Sequence, residues 1–156
     1  MTSERPSGLE DHLGYWLRRL SNRVSRGFSD RLERRGVTVA QWVVLRCLYD
    51  AEGASLLILA ATVGVDGGAM SRMVERLAKK GLVVRAADPT DRRAVSIRLT
   101  EAGRTLVPVL AREADENDDA FFGVVGEPER RRLLASLKSI LAKHEAGDEF
   151  PGKTLD

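Results

Sequence analysis

The stretch Ser55-Leu56-Leu57-Ile58-Leu59-Ala60-Ala61-Thr62-Val63-Gly64-Val65-Asp66-Gly67-Gly68-Ala69-Met70-Ser71-Arg72-Met73 decides the fold. Ser55 can cap a short helix that reaches Val63, where Gly64 supplies the stop. Asp66 is a good cap for a further helix running to about Lys80, with Gly81 as its stop. Two helices that cross steeply need a small residue where they touch and a turn residue that tolerates positive φ; Ala60 and Gly64 meet both needs. Leu59, Val63, Val65, Met70 and Met73 then lock the second helix on the first. The pair reads as a helix-turn-helix. The front of its second helix faces outward and carries Gly68, Ala69, Ser71 and Arg72, which are small or hydrogen-bonding and fit a DNA major groove. Arg72 has the fork that matches guanine, and Ser71 with the free backbone N–H groups suits phosphate. Taken by themselves, these residues also fit a plain αα-hairpin with Arg72 in solvent.

The residues that follow favour the DNA reading. Leu82 to Ala86 predicts a strand, Asp88-Pro89-Thr90-Asp91 a turn, and Ala94 to Leu99 a second strand. In that strand Val95, Ile97 and Leu99 alternate with Ser96 and Arg98, so the first three should share a buried face. Arg92 and Arg93 sit beside the turn, and Arg85 and Arg98 lie on the strands. An arginine-rich hairpin tip beside a recognition helix makes a wing suited to a narrow minor groove. Asp91 is best explained there as an orienting partner for Arg76 or Arg93. The simpler alternative is a turn aspartate beside two solvated arginines.

Working outward, apolar residues at Leu9, Leu13, Trp16, Leu17, Leu20, Val24, Phe28 and Leu32 predict one amphipathic helix to about Arg35, stopped by Gly36. Thr38 and Gln41 form a capping box for a second, nearly all-apolar helix to about Tyr49. On the other side, Thr100 caps a fifth helix with Leu106, Val109, Leu110 and Ala114 on its stripe and a kink expected at Pro108. An acidic stretch, Asp115 to Asp119, follows and is expected to be a solvated helix face. Glu127-Pro128-Glu129 opens a last helix with Leu133, Leu134, Leu137, Ile140 and Leu141 on one side.

Composition is compatible with this order. The 156 residues are 43% hydrophobic and only 5% aromatic, with a formal net charge of +2. That charge is uneven: residues 67–104 hold nine basic and four acidic side chains, and residues 105–156 hold seven basic and eleven acidic. The basic block coincides with the helix-turn-helix and wing, as a phosphate-binding module requires. No apolar run is long enough to span a bilayer, and the first residues lack the basic flank and apolar core of a signal peptide. With one cysteine, Cys47, a cytoplasmic protein is the expectation. Cys47 falls in the apolar second helix and reads as an inert core residue rather than an oxidant sensor. His12 and His144 have no partner at metal-ligand spacing. No nucleophile–base pair, phosphate loop or paired carboxylates stand out, so neither enzyme activity nor a cofactor is expected.

Together these residues resemble the MarR family of bacterial regulators. The most specific piece is Asp91-Arg92-Arg93-Ala94-Val95-Ser96-Ile97-Arg98-Leu99-Thr100-Glu101-Ala102-Gly103, which is similar to the family's wing signature of Asp-x-Arg, a strand and Leu-Thr-x-x-Gly. Ser71 to Leu77, continuing through Lys80-Gly81-Leu82-Val83 to Arg85, is similar to the end of its recognition helix. The resemblance implies a mainly α fold with a small β-hairpin wing, a winged helix-turn-helix flanked by dimerisation helices. Its expected divisions are an N-terminal dimerisation helix at 1–36, the DNA-binding unit at 37–100, C-terminal dimerisation helices at 101–146 and a flexible tail at 147–156. It implies a homodimer on a pseudo-palindromic operator of double-stranded DNA, with contacts from Gly68, Ala69, Ser71, Arg72, Arg76, Asp91, Arg92 and Arg93. It also implies a repressor released by a small aromatic or phenolic effector, for which Trp16, Trp42 and Arg46 are candidate pocket residues. Two features depart from the family: the third helix is unusually apolar, leaving Leu57 and Ile58 partly exposed, and the recognition helix opens on Gly67-Gly68. The rival reading is a winged-helix interaction or dimerisation module without a specific DNA site, which would have no need of Arg72, Arg92 and Arg93 on one surface.

Overall fold

A computed structural model describes residues 6–51, 53–87 and 95–145. In chain order it has a 3-10 turn at Leu9–Asp11, then α1 (Leu13–Glu33), α2 (Val39–Asp50), α3 (Leu56–Val63), α4 (Gly67–Lys79), β1 (Val83–Ala87), β2 (Val95–Leu99), α5 (Glu101–Phe122) and α6 (Glu127–Glu145). This is the mainly helical architecture with a small hairpin that the sequence predicts. The expected turn Asp88–Asp91, the arginines Arg92 and Arg93, and the tail 147–156 lie outside the described residues. One compact unit takes in the chain up to Asn117, and a second begins at Asp118.

The local signals around α2, α3 and α4 are all realised. Thr38 Oγ1 accepts the Gln41 N–H at 3.2 Å and Gln41 Oε1 accepts the Thr38 N–H at 3.2 Å, closing both halves of the capping box. Ser55 Oγ accepts from Ile58 N–H at 3.3 Å, and Asp66 Oδ1 from Ala69 N–H at 2.8 Å. Each such cap contributes about 1 kcal/mol by satisfying an orphan donor. Gly64 takes φ +78°, a conformation costly for any residue with a Cβ, and the chain turns there so that α3 and α4 meet at 104°. The first helix differs from expectation. His12 is extended and separates the Leu9–Asp11 turn from α1, because the Gly8 N–H bonds the Asp11 carboxylate at 2.7 Å and closes a turn of its own.

The core joins Leu32 of α1, Val44, Leu45 and Leu48 of α2, Leu59 and Ala60 of α3, Met70, Val74 and Leu77 of α4, Ile97 of β2, and Val107 and Leu110 of α5. Met70, Val74 and Leu77 stand four and seven residues apart, so one stripe of α4 is buried and its opposite face is free.

In the hairpin, Val83 pairs with Leu99 and Ala87 with Val95. The expected alternation on β2 is corrected: Val95 is 50% exposed, whereas Ser96 is 4% exposed. The reason is a second neighbour for β2. Ala54 exchanges both backbone bonds with Ile97, at 3.1 and 2.8 Å, on the edge away from β1. This brings Gly53 over the Ser96 and Arg98 side chains and covers the face expected to be open.

The acidic stretch is a solvated helix face, as expected: α5 runs through it to Phe122, and Asp115, Glu116, Asp118 and Asp119 are exposed. Glu113, just before it, and Glu116 engage arginines from earlier in the chain. Arg35 approaches Glu113 at 2.6 Å, and Arg31 reaches Glu113 at 3.3 Å and Glu116 at 2.8 Å. Asn117 is buried and donates to the Val24 carbonyl at 3.2 Å. The hydrogen bond from Arg35, reinforced by Arg31, holds the Glu113 carboxyl below its ordinary value of 4.5. A carboxylate depressed in the folded state stabilises above its unfolded pKa and loses that contribution as pH falls through the folded value. Glu113→Gln is therefore expected to lower the melting temperature at neutral pH. The gap to wild type should close as pH falls below about 4.5 in paired melting curves.

The second unit contains the end of α5 and α6. Arg130 bonds Asp119 at 2.8 Å, which raises the pKa of its guanidinium, and lies 4.0 Å from Asp118. Asp118, Phe122, Arg130, Leu133, Leu134 and Leu137 line an open groove of about 130 Å³. None of the residues of α6 whose side chains are described is buried, and Leu133, Leu134, Ile140 and Leu141 are all exposed.

Candidate nucleic-acid interface

The free face of α4 follows from its buried one. With Met70, Val74 and Leu77 inward, Gly68, Arg72 and Arg76 are exposed and Ala69 and Ser71 are half-buried at the rim. Five of the eight residues expected to touch DNA thus lie on α4, Gly68 to Arg72 in its first half and Arg76 in its last turn. Asp91, Arg92 and Arg93 lie outside the described residues. Lys79 is paired with Glu75 at 3.1 Å, whereas Arg72 in the first half of α4 and Arg76 in its last turn are exposed cations. Leu57 and Ile58 of α3 are 79% and 56% exposed, so this helix presents an apolar rather than a phosphate-binding surface.

Three sets of contacts hold α4 in place, and none was apparent from sequence periodicity. Lys80 Nζ donates to the Gly36 carbonyl at 2.6 Å and to Gln41 Oε1 at 3.1 Å, tying the end of α4 to the corner between α1 and α2. Arg85 of β1 donates to Ser71 Oγ at 3.3 Å, so the hairpin and α4 share a polar edge. Thr100 Oγ1 donates to the Gly81 carbonyl at 2.6 Å and accepts the Gly103 N–H at 3.0 Å, while the Thr100 N–H bonds the Leu82 carbonyl at 3.1 Å. The Leu-Thr-x-x-Gly motif at Leu99 to Gly103 is therefore a joint between the end of α4, the start of β1 and the first turn of α5. A lysine or arginine flanking a turn glycine is the signal that could have marked Lys80.

The candidate pocket residues keep separate company. Trp42 is half-buried and packs edge-on to Phe28 with ring centres 6.5 Å apart. Trp16 lies against Tyr15 and Arg19, and its indole N–H donates to the Glu10 carbonyl at 2.8 Å. Arg46 is paired with Asp50 at 2.6 Å, which raises its pKa, and its guanidinium stands 5.7 Å from the centre of the Tyr49 ring. Arg104 approaches the same ring at 5.9 Å. Cys47 is half-buried and packs against the core. No single helix among the described residues is long and apolar enough to cross a membrane.

Comparison with known proteins gives the same surface a context. Residues 37–95 match the model of the MarR family. The chain is 30% identical over 129 residues to a putative transcriptional regulatory protein for the hcr operon of Thauera aromatica, covering 82% of this chain and 78% of that one. The transcriptional repressor CouR, bound to a 23-mer DNA duplex, superposes with a TM-score of 0.76 at 31% identity, covering 89% of this chain and 99% of the other. CouR from Rhodococcus jostii RHA1 bound to p-coumaroyl-CoA gives a TM-score of 0.75 at 29% identity, covering 96% and 100%. The helix-turn-helix, the hairpin, the Thr100–Gly103 joint and these matches agree: the chain belongs to the MarR family, a family of transcriptional regulators with a winged helix-turn-helix fold.

Proposed function

We propose that this protein is a cytoplasmic homodimeric repressor that binds a pseudo-palindromic DNA operator and is released by a small aromatic or phenolic ligand. The observation that carries the reading is the free face of α4, where Gly68, Arg72 and Arg76 are exposed with Ala69 and Ser71 at the rim, on a helix set at 104° to α3. In each protomer this face enters a major groove, with Arg72 on a guanine edge and Ser71 and Arg76 on phosphate. Arg92 and Arg93 occupy the adjacent minor groove, with Asp91 orienting an arginine. A pair of protomers reads half-sites about one helical turn apart. The DNA-bound form of CouR supports this use of the fold. The exposed apolar stripe of α6, and the exposed Leu9, Leu13, Trp16, Leu17 and Leu20, support assembly, since a second copy would cover such surfaces. The p-coumaroyl-CoA complex of CouR supports the ligand. For this chain Trp16, Trp42 and Arg46 supply aromatic and cationic groups for a ligand of that kind, which would shift the population away from dimers whose α4 spacing matches the operator.

Arginine substitutions test the surface. Arg72→Ala is expected to relax the preference at one base pair of each half-site by about 1–3 kcal/mol. Arg93→Ala is expected to weaken binding on every sequence and to reduce the salt slope by about 1. Both are read by titrating selected duplexes at several salt concentrations. Unchanged binding by both variants would place the DNA surface elsewhere and favour an interaction module.

A further inference from the structure

We infer that Arg85 of β1 and Ser71 of α4 together form a seat for one DNA phosphodiester, at the base of the hairpin and apart from the arginines expected at its tip. The inference rests on the DNA reading of α4 given above and adds to it a contact from β1. In the hairpin register Arg85 stands opposite Ile97, and two residues earlier Val83 stands opposite Leu99. Val83 and Ile97 are buried in the core that also takes in Met70, Val74 and Leu77 of α4. Side chains alternate along a strand, so Arg85 leaves β1 on the same face as Val83. It lies past the edge of the core, however, and is exposed. There its Nη2 donates to Ser71 Oγ at 3.3 Å. Ser71 sits at the rim of α4, between buried Met70 and exposed Arg72. The hydrogen bond thus holds a cation of the hairpin beside the free face of α4.

This bond leaves both partners with donors to spare. A guanidinium has five N–H groups, and a hydroxyl has two lone pairs and one hydrogen. Arg85 occupies a lone pair of Ser71 Oγ, so the hydroxyl hydrogen is directed elsewhere. Hydroxyls within helices often spend that hydrogen on the carbonyl four residues back. Thr62 does so on Ile58 and Thr105 on Glu101, each at 2.9 Å. Among the described residues Ser71 makes no such bond, and no carboxylate pairs with Arg85. A hydroxyl that accepts from a cation is also polarised into a better donor. Two neighbouring donors, one of them charged, suit an anionic oxygen. A phosphodiester has that charge and two free oxygens, and its capture here would set the hairpin and α4 on the same stretch of DNA backbone.

The test uses the whole chain and a duplex selected for binding from a randomised pool. Arg85→Ala should weaken binding roughly tenfold on every sequence and lower the salt slope by about 1 for each bound protomer. Ser71→Ala should weaken it roughly threefold with the salt slope unchanged, because no charge is lost. The double variant should lose much less than the product of the two, since both donors serve one group. Each single variant should melt within about 2 °C of wild type, because the bond between the two side chains is exposed. Arg26→Ala removes the same charge from an exposed position on α1 and should bind within about twofold of wild type. Phosphodiesters of the duplex are then replaced one at a time by neutral methylphosphonates. At one position per half-site, the same for both variants, the penalties of Arg85→Ala and Ser71→Ala should vanish, because wild type has lost that contact too. A residue that only props the hairpin would keep its penalty at every position. Penalties that persist at every position, or that vanish at different positions for the two variants, overturn the inference. So does an Arg26→Ala loss equal to that of Arg85→Ala. A wild-type protein that selects no duplex overturns the DNA reading and the inference with it, a result distinct from the others.

Discussion

Gly103→Ala is expected to lower the melting temperature by roughly 5–10 °C, corresponding to about 2–3 kcal/mol, and to weaken DNA binding in parallel. The first turn of α5 lies so close to the start of β1 that a β-carbon on Gly103 would overlap the Leu82 carbonyl oxygen and come within 3.1 Å of both the Leu82 carbonyl carbon and the Leu99 side chain. A flexible side chain could swing away from such a contact, but a backbone carbonyl cannot. That carbonyl accepts the Thr100 N–H, and Thr100 in turn bridges Gly81 and Gly103. Relief of the overlap must therefore open the joint that sets the hairpin and α4 in register. The neighbouring Ala102 is exposed, so Ala102→Ser serves as a control within about 0.5 kcal/mol of wild type. A Gly103→Ala variant that melts with the wild type would show that the joint does not carry this packing.

Leu134→Glu is expected to convert the protein to a monomer and to reduce operator affinity by at least about a hundredfold, because two linked half-site contacts become one. Leu134 is exposed in the single chain, as are Leu133, Ile140 and Leu141. A charge at this position therefore costs the isolated chain little, whereas in an interface it would be buried without a partner. Light scattering across a concentration series gives the assembly state, and circular dichroism checks that the helices persist. A dimer of unchanged affinity would place the contact between protomers away from α6.

What could be read from the sequence was local. The capping box of Thr38 and Gln41, the caps at Ser55 and Asp66 and the turn at Gly64 each depend on residues within four positions, and each formed as read. The misreading on β2 has a distant cause. Ser96 is buried because Gly53 and Ala54, some forty positions earlier, take the free edge of β2. Nor could periodicity show that Arg31 of α1 and Arg35, in the turn after it, reach Glu113 and Glu116 from 78 to 85 residues away. Periodicity is blind to both, since it records which face of an element is apolar but not what arrives to cover the other face. At the proposed DNA surface the exposed residues of α4 were legible from the buried stripe alone. The supports were not: Lys80 on Gly36 and Gln41 and Arg85 on Ser71 are contacts of polar side chains, which no pattern of hydrophobicity specifies.

Recognition of specific DNA by a pair of protomers is tested by incubating the purified protein with sheared genomic DNA of its source organism, at two salt concentrations and with excess unrelated competitor, and sequencing what is retained. The expected result is a small set of fragments that share an inverted repeat with half-sites about one helical turn apart, retained less at the higher salt. Uniform retention of all fragments, or none at either salt concentration, would contradict it.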